Sequence, residues 1–188
     1  MIRCQAAEIA FAGKGAALHN IYPVSDVLPY TDTKPKGHAD FYFAINATFR
    51  FLLARFGVEK LREYWGDLGK GYFKPVSEQW QRQGLAGVAA YWRTFFAAEP
   101  AADVQVVELP DEVRLEVRRC PAIAHLRQSK REIVPCFCQH CYFVSQAIAE
   151  PAALTVRIHG GNGSCVQRFM HRTAEVPAQE LHAIAPAS

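Results

Sequence analysis

VQVVELPDEVRLEV, residues 104–117, is the stretch that decides the fold. Val104 and Val106 alternate with polar residues, Leu-Pro-Asp-Glu turns the chain, and Val113, Leu115 and Val117 alternate again. That period of two is what a half-buried β-hairpin requires. Everything before it has a different period. From Ala39 the apolar residues Phe41, Ile45, Phe49, Leu52, Leu53 and Phe56 recur at helical spacing, with Phe43, Ala47 and Phe51 as a second stripe. The aromatic stripe of Phe41, Phe43, Phe49 and Phe51 reads as core. Gly57 ends this helix, and a second helical region runs to Gly84, loosened by Gly66, Gly69, Gly71 and Pro75. LAGVAAYWRTFFAAE makes a third helix that stops before Pro100. Beyond the hairpin, Cys120-Pro121 opens a short helix to about Lys130, and Cys138 opens another to about Glu150. Leu154, Val156 and Ile158 then alternate, as do residues from Val166 to Phe169 after a Gly-Gly-Asn-Gly turn, which gives a second hairpin.

The expected architecture is therefore α+β: an N-terminal helical half packed on an antiparallel sheet made of two β-hairpins, with the cysteine-bearing helices intervening. A single domain over residues 38–172 is expected, preceded by a short helix and loop at 1–37 and followed by a frayed tail at 173–188. A chain of 188 residues that is 50% hydrophobic and 12% aromatic has enough apolar surface for one sizeable core. FYFAINATFRFLLARFG, residues 41–57, is interrupted by Asn46, Arg50 and Arg55, so it suits a buried helix and not a bilayer span. The first residues lack the long apolar run of a secretory leader, and a cytoplasmic protein is expected. The formal charge of +3 is dispersed, and RQSKR at 127–131 reads as a solvated helix end, so neither nucleic acid nor membrane is an expected partner. The expected partner is a small-molecule substrate; oligomerisation is left open.

The cysteines carry the chemistry. Four of the six lie between Cys120 and Cys141, three of them in CFCQHC at 136–141, and thiols kept reduced point to catalysis or metal before a disulfide framework. Cys120 falls at a helix N-cap, where unpaired N–H groups and the helix dipole favour a thiolate, so its pKa is expected to fall. Cys138 sits at a similar helix start, with Cys141 three residues on along the same face and His140 on a neighbouring one. Cys165 follows GGNGS, a loop able to present several N–H groups in one direction as an anion nest or oxyanion hole does. These contexts predict that Cys120, Cys138 or Cys141, and Cys165 converge on one concave site. His125 and His140 are the candidate bases, Asp40 a helix cap, and Arg168 a candidate for holding a carboxylate. Zinc held by Cys120, Cys138 and Cys141 is the alternative, because thiolate-rich tetrahedral sites suit it. The Cys138-x-x-Cys141 pair has no second pair to complete a structural site, no parallel βαβ unit to make it a redox motif, and no ferredoxin spacing.

RCPAIAHLR, FCQHCYFVSQAIAE and HGGNGSCVQRF, in that order, resemble the L-2-amino-thiazoline-4-carboxylate hydrolase family over roughly residues 38–169. The resemblance implies hydrolytic opening of a small cyclic amidine, 2-aminothiazoline-4-carboxylate, to N-carbamoyl-cysteine. Cys120, Cys138, His140, Cys141, Ser164 and Cys165 match its motifs, whereas Cys4 and Cys136 look incidental. The candidate catalytic residues are accordingly Cys120, Cys138, His140, Cys141 and Cys165, and the candidate substrate-binding residues His125, Gly161, Asn162, Gly163, Ser164 and Arg168. Two routes fit such chemistry: a cysteine attacking the amidine carbon with a histidine as base, or zinc polarising water. The first needs no cofactor. The competing reading is a non-enzymatic module whose cysteines bind a metal or small ligand.

Overall fold

The computed structural model of the protein describes residues 38–99, 101–173 and 175–188. The expected helix and loop at 1–37, and Cys4, lie outside them. Helix α1, Phe41–Lys70, is interrupted at Gly57, whose φ of 81° and ψ of 174° leave the helical region. Helix α2, Lys74–Ala98, has Pro75 in its first turn and a similar break at Gly84, with φ 57° and ψ −140°. The region expected as one helix to Gly84 thus divides around Gly71, while Gly66 and Gly69 stay inside unbroken helix. Strands β1, Asp103–Glu108, and β2, Glu112–Arg119, form the hairpin read from residues 104–117. Helices α3, Pro121–Gln128, and α4, Gln139–Ala149, follow with Cys120 and Cys138 at their N-caps, as the proline and helix-start signals require. Strands β3, Leu154–Gly161, and β4, Ser164–His171, make the second hairpin, and β5 is Ile184–Ala185.

The architecture is α+β. The two hairpins join through β2 and β4 into one sheet of order β1-β2-β4-β3-β5. Four strands are antiparallel, and β5 adds a parallel edge by pairing Gly160 with Ile184 and Gly161 with Ala185, so the sheet is mixed and not purely antiparallel. This corrects the expected frayed tail at 173–188. Ile184 and Ala187 are buried. The Gln179 amide accepts from the Ile158 N–H at 2.7 Å and donates to the Ile158 carbonyl at 3.0 Å. The tail is held by hydrogen bonds to the edge of β3, which leave no hydrophobic period to read.

Two apolar cores form. One lies between the sheet and α2, around Trp80, Val88, Leu115, Leu154, Val156 and Phe169; the other lies between α1, α3 and the approach to α4, around Phe49, Leu61, Trp65, Ile123, Leu126 and Phe137. Cys120 and Cys138 pack against both. Within α1 only part of the aromatic stripe is core. Phe49 is buried, whereas Phe41 and Phe51 are 67% and 62% exposed. Phe51 lies about 200° around the helix axis from Phe49, so both cannot face the same core. Buried Asn46 takes the place of an apolar residue there, donating to the Glu132 carbonyl at 2.8 Å and accepting from the Val134 N–H at 3.1 Å, which pins the loop leading into CFCQHC. Helices α1 and α4 pack closely at Gly69, where an added Cβ would lie 2.6 Å from the Val144 carbonyl oxygen and from the Ala147 Cβ.

Candidate functional site

The site is assembled at the turn between β3 and β4. Asn162 at φ 53° and Gly163 at φ 110° make a two-residue hairpin turn whose left-handed conformation suits asparagine and glycine. The turn sits between two helix starts. The Gly163 carbonyl accepts from the Cys120 N–H at 2.8 Å, and the Asn162 N–H donates to Cys138 Sγ at 3.3 Å. The GGNGS loop therefore does aim an N–H group at an acceptor, and the acceptor is the sulfur of Cys138. Cys141 lies one turn into α4. Cys165 comes off β4 and accepts from Gln167 Nε2 at 3.7 Å.

Cys120, Cys138, Cys141 and Cys165 form a group: Cys165 feels the charge of the other three, Cys138 that of Cys141 and Cys120, and Cys120 that of Cys141. Of the four only Cys120 lines a concavity, short of the expected convergence on one concave site. Cys136 is outside the group, and Arg62 is the cation beside it. Burial dominates the acidity of all four. It pushes Cys120 up to about 11 against the opposing pull of the Ile123 N–H, and Cys138, Cys141 and Cys165 up to about 12. The expected fall at Cys120 is thus overturned, because desolvating a thiolate outweighs what one helix start returns. No side-chain capping hydrogen bond to its sulfur closes. Tyr42, in the first turn of α1, stands beside Cys120 and Cys141, and its hydroxyl donates to Glu99 just beyond α2. Burial, then that bond, raises the Tyr42 pKa and holds it protonated.

The histidines are placed otherwise than as bases. His140 Nδ1 donates to the Phe137 carbonyl at 2.5 Å, and its ring packs among Phe49, Trp65 and Phe137. Burial lowers its pKa, so it is neutral. Cys141 Sγ is 3.7 Å from Nε2 and 4.0 Å from Nδ1, nearly equidistant, so the sulfur does not lie along the lone pair of either nitrogen. His125 faces α1, with Nε2 3.0 Å from Asp40 Oδ1 and its ring stacked on Phe43. Asp40 does occupy the N-cap of α1, but its carboxylate serves His125 and makes no capping bond.

Of the expected substrate-binding residues, three come together. Asn162, Gly163 and Ser164 line a concavity of about 360 Å³ with Cys120, Ala124, Arg118, Arg119 and Arg127. Gly161 is instead packed against β5, where a Cβ would come within 2.5 Å of the Ala185 carbonyl. Arg168 is three residues from Cys165 on one strand and therefore points to the opposite face of the sheet, where it pairs with Glu112 at 2.5 Å. A larger groove of about 680 Å³, lined by Glu59, Arg62, Glu63, Asp67 and Lys70, contains no cysteine; Arg62 there is already paired with Glu59 at 2.6 Å. Sequence reasoning missed Arg118, Arg119 and Arg127, Tyr42 with Glu99, and Gln167. The arginines stand in RRCPAIAHLR on either side of Cys120, and their clustering there was the available signal. Gln167 is buried with Oε1 unpartnered, the one side-chain oxygen so left among the described residues.

As a fit for zinc, Cys120, Cys138 and Cys141 are neighbours without being a ligand set: no three histidine, cysteine or carboxylate groups among the described residues are arranged to hold a metal ion. No helix among the described residues is long and apolar enough to cross a membrane. No family model, curated protein or solved structure matches the chain.

Proposed function

We propose that this protein is a hydrolase that opens a small, anionic, sulfur- or nitrogen-containing heterocycle of the 2-aminothiazoline-4-carboxylate type, with Cys120 as nucleophile. The observation that carries the reading is the opening of Cys120, alone of the four clustered thiols, onto the arginine-lined concavity. A cyclic amidine suits such a thiol. With a pKa of about 11, Cys120 is a protonated thiol at neutral pH, and a basic ring nitrogen brought beside it can take that proton as the sulfur attacks the amidine carbon. Cys120 Sγ bonds to that carbon, the carbon–ring-sulfur bond breaks, and the ring sulfur leaves as a thiol once protonated. The adduct is an S-linked isothiourea. Water then adds to the same carbon, the bond to Cys120 breaks, and a carbamoylated amine departs with the cysteine restored.

Tyr42 and Glu99 supply a route for the water proton. Tyr42, near Cys120 and Cys141 and with its own proton directed at Glu99, can accept from water as it passes that proton to the carboxylate. Cys138, which accepts from the Asn162 N–H, ties the turn that lines the concavity to the start of α4. The test is turnover with 2-aminothiazoline-4-carboxylate, followed by release of free thiol and by mass of the carbamoyl product. Wild type should release one thiol per ring, and Cys120→Ser should keep the native fold while losing at least about a hundredfold in kcat. Cys120→Ser as active as wild type would refute the assignment. Stoichiometric zinc whose removal abolishes turnover would favour the metal-dependent alternative instead.

A further inference from the structure

The guanidinium groups around Cys120 are a feature the reaction scheme leaves unused. Arg50, Arg62, Arg93, Arg114, Arg168 and Arg172 each have a carboxylate partner. Arg118 and Arg119 form no ion pair with any described residue. Arg118 does donate to the Gln105 amide oxygen at 2.9 Å, a neutral partner. Neighbours on a regular strand point to opposite faces, yet both line the same concavity. The register explains this. Asp103 pairs with Arg119 and Val104 with Val117, so Arg118 is an extra residue with no partner on β1, a bulge of the kind that re-aims side chains at strand ends. Arg127 adds a third cation to the wall, fixed by its Nε bond to the Ser188 carbonyl at 2.8 Å and by Nη2 donating to the Asn162 side chain. Ser164, exposed on the rim, offers a hydroxyl.

Two unpaired guanidinium groups on a concavity of about 360 Å³, the small end of the range for ligand pockets, match a compact anion. We infer that Arg118 and Arg119, with Ser164 and the Asn162–Gly163 turn, form an anion subsite that seats a small organic carboxylate directly beside the Cys120 sulfur. In the hydrolase reading, on which this naming of the ligand's role rests, the carboxylate is the acid group of the ring. The subsite itself is measured on the thiol, apart from turnover.

The probe is a pair of alkylating reagents that differ in charge, iodoacetate and iodoacetamide, each transferring its carbon to the sulfur with loss of iodide. The rate ratio of the anionic to the neutral reagent at Cys120, read by peptide mass mapping at low salt and divided by the same ratio for a free thiol peptide in the same tube, should be about five- to tenfold. Arg118→Gln/Arg119→Gln and about 0.5 M salt should each bring it close to one. Succinate at millimolar concentration should slow labelling of Cys120 by iodoacetamide in the wild type and not in the double variant. A ratio near one in the wild type overturns the subsite, and stronger protection by inorganic phosphate than by succinate overturns the carboxylate assignment. A preserved ratio without ring opening refutes the hydrolase reading and leaves the subsite standing; ring opening unaffected by the double variant does the reverse.

Discussion

Gly69→Ala and Gly66→Ala, one turn apart on α1, should move stability in opposite directions. At Gly69 an added methyl would lie 2.6 Å from both the Val144 carbonyl and the Ala147 Cβ, about 0.8 Å inside ordinary contact. Neither neighbour is the free end of a flexible side chain, so relief requires α1 and α4 to separate. Overpacking of that kind costs about 1–3 kcal/mol. Alanine returns up to about 1 kcal/mol of helix propensity, and less than that so near the end of α1. The net loss is about 1–2 kcal/mol, or about 3–6 °C in Tm for a chain of this size. At Gly66 an added Cβ meets nothing within 4 Å, so only the propensity term remains, and Tm should rise by about 2–4 °C. Thermal unfolding followed by circular dichroism measures both. Equal shifts in the same direction would show that α4 does not pack on α1 as described. Because α4 carries Cys138 at its N-cap and Cys141 one turn in, Gly69→Ala should also raise the labelling rate of those thiols, while Gly66→Ala leaves it unchanged.

Two further outcomes test the electrostatics. The Cys120 pKa of about 11 implies that its reaction with iodoacetamide at pH 7 is about a hundredfold slower than that of an ordinary cysteine and climbs about tenfold per pH unit to near pH 10; a rate that levels off below pH 8 would contradict the burial argument. His140, whose pKa is lowered in the fold by burial from the ordinary 6.5, resists a proton that the unfolded chain accepts. Stability should therefore be complete above pH 6.5 and fall as pH drops toward the folded pKa, by up to about 1.4 kcal/mol per unit. His140→Asn should remove that slope in denaturant titrations, and a slope that survives the substitution would assign the effect to another group.

What was legible in the sequence was whatever periodicity or punctuation encodes. The change of period at Val104 marks the hairpin, Pro121 marks the start of α3, and the Asn162-Gly163 pair marks the β3–β4 turn, so the approach of Cys120 and Cys138 to that turn follows from local rules. The tail escaped because its attachment runs through Gln179 and the backbone of Gly160 and Gly161, which carry no apolar signature. His125 and Arg168 failed as ligand-binding residues because their partners, Asp40 and Glu112, lie 85 and 56 positions away in the chain. The acidity of Cys120 was misjudged for a related reason: the helix start is local and visible in sequence, while the depth of burial depends on how two cores close over the residue. Arg118 came to the rim through a bulge, which no side-chain pattern announces.

The seam between the two cores has a kinetic consequence. Cys120 and Cys138 touch both apolar clusters; Cys120 also opens onto the concavity, whereas Cys138 does not line it, so parting of the clusters would let reagent reach the Cys138 sulfur that native packing shields. Under native conditions, slow labelling of Cys138 would then report the free energy of partial opening and not the intrinsic chemistry of the thiol. Its dependence on low concentrations of denaturant would give the surface exposed in that opening. A small dependence would mean that the halves part at the seam while each stays folded; a dependence equal to that of global unfolding would mean that the halves are bound into one cooperative unit by the residues that line the site.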